Sequence, residues 1–102
     1  MAFSLLKRTR YMAVFLLRTS FRNQPDGHDF LLTGRVYPAA TTVKAGDKLV
    51  FGAMKIAVKQ VETATYEGVI LTIDQDAVET LRRAGVTLTS LYGTEIQLEV
   101  VA

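Results

Sequence analysis

The residues with the most chemistry to offer are basic and aromatic. Arg10, Tyr11, Arg18, Phe21, Arg22, Arg35 and Tyr37 mix guanidinium groups with rings. Guanidinium groups pair phosphates and carboxylates, and rings stack on bases. If residues 10–22 and 35–37 form adjacent antiparallel strands, these groups pool on one surface. The other constellations are thinner. His28, the single histidine, lies beside Asp26 and Asp29 in a turn. A histidine with an acid is the raw material of a general base, but no nucleophile is tied to it, and it reads as a solvated loop residue. Asp74, Asp76 and Glu79 form D-x-D-x-x-E. Hard cations take such oxygens, yet the spacing is not that of an EF-hand, and helix capping accounts for it. The stretch 85–93 (GVTLTSLYG) is rich in hydroxyls but holds no G-x-S-x-G elbow, and Ser90 has no histidine near it in sequence. There is no cysteine, which excludes disulfides, thiolate metal sites and a cysteine nucleophile. No enzyme, metal or cofactor is expected from this set.

The charge is asymmetric. Residues 1–25 carry Lys7, Arg8, Arg10, Arg18 and Arg22 and no acid, for +5, while the remainder is −3. A basic start on a mildly acidic body suits an anionic partner or a solvated chain end. Residues 11–17 (YMAVFLL) are apolar but closed by Arg18. No small-x-small cleavage site follows, and the run is far short of the roughly 20 residues that span a bilayer. It reads as a buried strand, with no membrane role and a cytoplasmic location expected. Residues 1–11 read as a basic extension, with Met12 an alternative start, and 12–102 as one domain. At 102 residues, 49% hydrophobic and 22% charged, the chain suits a single globular unit.

The elements that must position these groups are strands. Residues 12–22 form the first, ended by the Pro25-Asp26-Gly27 turn. Residues 29–37 form the second, with Gly34 marking a bulge or bend inside it and Pro38 stopping it. Lys44-Ala45-Gly46-Asp47 is a turn in which Gly46 takes positive φ and Asp47 bonds the turn backbone. Lys48–Phe51 follows. Met54, Ile56 and Val58 then alternate with polar partners, and the alternation slips at Gln60-Val61, where a bulge would return Val61 inward. Residues 69–73 form a buried strand. In 95–101, Ile96, Leu98 and Val100 face one way and Glu95, Gln97 and Glu99 the other. One helix is expected over 76–84, capped by Asp74 or Asp76, with Val78 and Leu81 on one face and Gly85 ending it. The pattern predicts an all-β fold, a closed antiparallel barrel of six or seven strands with that one short helix.

Residues 31–51, LLTGRVYPAATTVKAGDKLVF, carry a T-G-R-V followed by x-G-D before an apolar strand. Through Thr33, Gly34, Arg35, Val36, Lys44, Gly46, Asp47 and Leu49 they resemble the second domain of translational GTPases such as elongation factor Tu. The likeness runs in order over residues 13–100, though only 31–51 hold the specific motif. The Pro38-Ala39-Ala40 loop is longer than the family's. No G-x-x-x-x-G-K-[S/T] loop occurs in the sequence, so nucleotide hydrolysis is not carried over. The resemblance implies a β-barrel, standing here without the GTPase domain, and a binding surface, since that family's barrel packs on its GTPase domain and contacts the acceptor end of tRNA. The expectation is a non-enzymatic module that engages a protein partner. The alternative is an RNA-binding module, for a tRNA end or a single strand. The surface expected to serve either role is Arg10, Arg18, Arg22, Arg35 and Tyr37.

Overall fold

The computed structural model describes residues 10–22, 29–63 and 68–101. Seven strands form one sheet: β1 (Arg10–Arg22), β2 (Asp29–Tyr37), β3 (Lys48–Phe51), β4 (Met54–Ala57), β5 (Gln60–Thr63), β6 (Val69–Asp74) and β7 (Glu95–Val101). Helix α1 (Gln75–Arg83) lies between β6 and β7. The spatial order is β4-β3-β7-β1-β2-β6-β5, and every neighbouring pair is antiparallel. The 13-residue β1 is the spine, pairing with β7 over its first half and with β2 over most of its length.

The all-β class is as expected, but the barrel is not closed. The sheet curls into a half-barrel whose edge strands, β4 and β5, form no ladder with each other. The reason is connectivity. β4 and β5 are consecutive, four residues each, and joined only by Val58 and Lys59. That link is spent crossing the gap: the Val58 N–H donates to Asp47 O (2.8 Å), on the β3 side, and the Lys59 N–H to Thr72 O (2.7 Å), on β6. The expected bulge at Gln60-Val61 is therefore a transfer of the chain from one sheet edge to the other. Val61 still packs against the core.

Period-two patterning fills the concave side. Phe15, Leu17, Leu49, Leu71, Ile73 and Leu98 are fully buried, joined by Leu32, Ile56, Val58, Leu81, Ile96 and Val100. Each side chain of this size contributes about 1.5–3 kcal/mol on burial. α1 caps one end by inserting Leu81. The Asp74 carboxylate accepts from the Asp76 N–H (2.8 Å), and Arg82 and Arg83 occupy the negative end of the dipole. The N–H groups of Gly85 and Val86 return to Arg82 O and Leu81 O, a Schellman ending. The Pro25–Gly27 turn and His28 lie outside the described residues, as do Lys7 and Arg8.

Candidate binding surface

The register shift falls in β1, between Leu17 and Thr19, and not in β2 as Gly34 suggested. Gly34 is what permits it. A Cβ on Gly34 would sit 2.0 Å from Leu16 O and 3.0 Å from a ring carbon of Phe15, so only a bare backbone lets β2 approach this closely. Arg18 is the inserted residue, exposed on the outside. The loop before β7 secures the distortion: Gly93 N–H donates to Leu17 O (2.8 Å) and Leu17 N–H to Thr94 O (3.2 Å). The Tyr92 hydroxyl adds a second tie. It accepts from the Ser20 N–H (3.0 Å) and bonds the Ser20 hydroxyl (2.8 Å).

Pairing across β1 and β2 sets Leu16 against Arg35 and Val14 against Tyr37, all on the outer face. Arg18, Arg35 and Tyr37 thus line one groove of about 460 Å³, together with Leu16, Leu17 and Gly93. A second depression of about 400 Å³, also lined by Arg35 and Tyr37, lies against Ala39, Thr63 and Val69. Arg18, Arg35 and Tyr37 stand together as the strand pairing required. Arg22 is elsewhere: its guanidinium lies 5.5 Å from the centroid of the Phe30 ring, its partner across the ladder. Arg10 opens β1 opposite Val101, six residues or about 20 Å along the strand from Leu16.

Aromatic and aliphatic side chains surround the groove. Met12 (50% exposed) and Tyr37 (43%) flank half-buried Val14 and Leu16, and Phe21 (48%) continues the face past the bulge. No local cue marks Leu16, Gly93 or Val69 as lining residues. Their roles come from pairings and contacts between segments far apart in the chain.

Acids elsewhere are absorbed structurally. Asp47 is buried; its carboxylate accepts from the Lys44 N–H (2.9 Å) and, 54 residues away, from the Val101 N–H (3.2 Å). The second bond ties the β3 turn to the end of the last strand. Lys59 bonds Asp29 (2.7 Å) and approaches Asp74 (3.7 Å), so its pKa is raised above the ordinary 10.5, chiefly by the Asp29 hydrogen bond. Glu79 pairs with Arg82. Among the described residues, no three acidic, histidine or cysteine side chains converge as metal ligands, and no helix is long and apolar enough to cross a membrane.

The chain matches no protein-family model, no curated protein and no solved structure.

Proposed function

We propose that this chain is a non-enzymatic binding module of the translation-factor second-domain type, engaging a protein partner through the outer face of β1 and β2. One observation carries the reading. Met12, Val14, Leu16 and Tyr37 place apolar surface side by side on adjacent strands, next to a groove with two cationic walls. Apolar surface gathered beside fixed charge is the make-up of a docking site. A photo-crosslinking residue at Met12 or Tyr37 is expected to capture protein in cells, while the same residue at Arg83, exposed on α1, captures none. Equal capture from all three positions refutes the assignment of the face.

A second reading is favoured by the grouping of Arg18, Arg35 and Tyr37: single-stranded RNA, with phosphates on the two guanidiniums and a base on the ring. Two phosphate contacts give a slope of about −1.4 in log affinity against log salt, so binding falls about sevenfold between 50 and 200 mM. Fluorescence anisotropy with a short RNA measures this. No binding at 50 mM salt, or binding unchanged in the Arg18→Ala, Arg35→Ala double variant, refutes it.

A further inference from the structure

The outer face of β7, β1 and β2 is matched to itself. Along β1, Met12, Val14 and Leu16 form a central apolar stripe. On its β2 side stand Tyr37, across from Val14, and Arg35, across from Leu16. On its β7 side, in the same two rows, stand Gln97 and Glu95. One row therefore reads Glu95–Leu16–Arg35, acid and base on opposite flanks of an apolar centre. Neighbouring strands are about 4.8 Å apart, so the backbone positions of Glu95 and Arg35 stand about 10 Å from each other. Glu99, farther along β7, already pairs with Lys55 at 3.1 Å. Glu95 is exposed and makes no ion pair or side-chain hydrogen bond among the described residues.

We propose that the protein partner of this face is a second copy of the same chain, packed face to face about a two-fold axis parallel to β1. This rests on the reading of the β1–β2 face as a protein-docking surface and names its occupant. Rotation about that axis exchanges the two flanks and leaves the rows in place. Leu16 meets Leu16, Val14 meets Val14, and Met12 meets Met12. Arg35 of each copy comes opposite Glu95 of the other, and Tyr37 opposite Gln97. A two-fold perpendicular to β1 in the same plane would set Arg35 against Arg35 and Glu95 against Glu95, so the charges choose the first arrangement. The two Arg18 side chains come near the axis, one row from the Glu95 of the opposite copy, which offsets their repulsion. Arg35 keeps its contact within its own chain; the match depends on where its charge stands.

Sedimentation velocity from 1 to 100 µM tests the proposal. The wild-type chain is expected to dimerise over this range. Glu95→Arg alone and Arg35→Glu alone should each weaken dimerisation at least tenfold, because each homodimer then sets like charges together at two places. Mixing the two variants should restore dimers, now as heterodimers, since each acid again faces a base. Met12→Glu, half-exposed and outside the charge pairs, should also abolish association while the thermal transition stays within a few degrees of the parent. A wild-type chain monomeric at 100 µM overturns the proposal, as does a dimer indifferent to all three substitutions. Should the chain be monomeric, crosslinks from Met12 to a different protein would keep the docking-surface reading standing, and their absence would end both.

Discussion

Gly34→Ala offers the sharpest test of the close approach of β1 and β2 that shapes the groove. The new methyl carbon would lie 2.0 Å from Leu16 O, about 1.5 Å inside the roughly 3.5 Å optimum for non-bonded heavy atoms. The obstacle is backbone, so no rotamer change relieves it. β2 has to retreat from β1, yet β6 holds it from the other side through Val69 and Ile70. Overpacking of this kind costs about 1–3 kcal/mol. Loosening one or two ladder bonds near Leu17 adds about 0.5–1.5 kcal/mol each. A total near 3 kcal/mol is a large share of the 5–15 kcal/mol typical of a domain. At 4–8 °C per kcal/mol for a chain of this size, Tm should fall by roughly 12–24 °C. Differential scanning calorimetry reads this directly. Gly46→Ala serves as the contrast. Its Cβ would meet nothing within 4 Å, and only its φ of 100° is at stake, so about 1 kcal/mol is expected. A Gly34→Ala Tm within about 4 °C of the parent, or a larger loss at Gly46, would refute the close approach of β1 and β2.

Three further outcomes follow from the contacts described. Asp47→Ala strips two backbone N–H groups of their acceptor, and at about 1–3 kcal/mol each the urea midpoint should drop by the equivalent of about 2–6 kcal/mol, with Asp47→Asn retaining part of it. Tyr92→Phe removes the hydroxyl that ties the loop to Ser20 and should cost about 1 kcal/mol by chemical denaturation, with faster amide exchange at Ser20. Lys59, whose pKa is raised by Asp29 and Asp74, contributes stability that is complete below its unfolded value near 10.5 and is lost as pH rises through the higher folded value. The Tm difference between wild type and Lys59→Met should therefore shrink above pH 10.5, and a difference constant up to pH 12 would contradict the ion-pair cause.

What was legible in the sequence was what neighbouring residues decide. Strict alternation in 95–101, and the turn before and Pro38 after 29–37, marked strands with the observed bounds, and the Asp74 cap with Gly85 placed the helix to within one residue. Gly46 and Asp47 make the expected turn, with Asp47 accepting from Lys44. The remainder depends on partners distant in the chain. Gly34 signalled a special backbone position, but whether it bulges or lets another strand bulge is set by Leu16 and Phe15. The slip after Val58 looked like a one-residue defect because a sequence window cannot show that Asp47 and Thr72 flank a gap. The candidate surface was legible in part for the same reason. Alternation on two paired strands brought Arg18, Arg35 and Tyr37 together, while Arg22 turned to Phe30 once the insertion at Arg18 had shifted the faces beyond it.

Val58 and Lys59 also have a mechanical meaning. Six ladders hold the seven strands, and none of them bridges the opening between β4 and β5. Two residues, each hydrogen-bonded to a different lip, hold the lips of the half-barrel in place. Cutting the backbone there would leave every ladder whole while freeing the lips to part. A circularly permuted chain with its new ends at that link should unroll toward a flatter, aggregation-prone sheet, whereas new ends at the exposed Gly52-Ala53 turn should preserve the curvature.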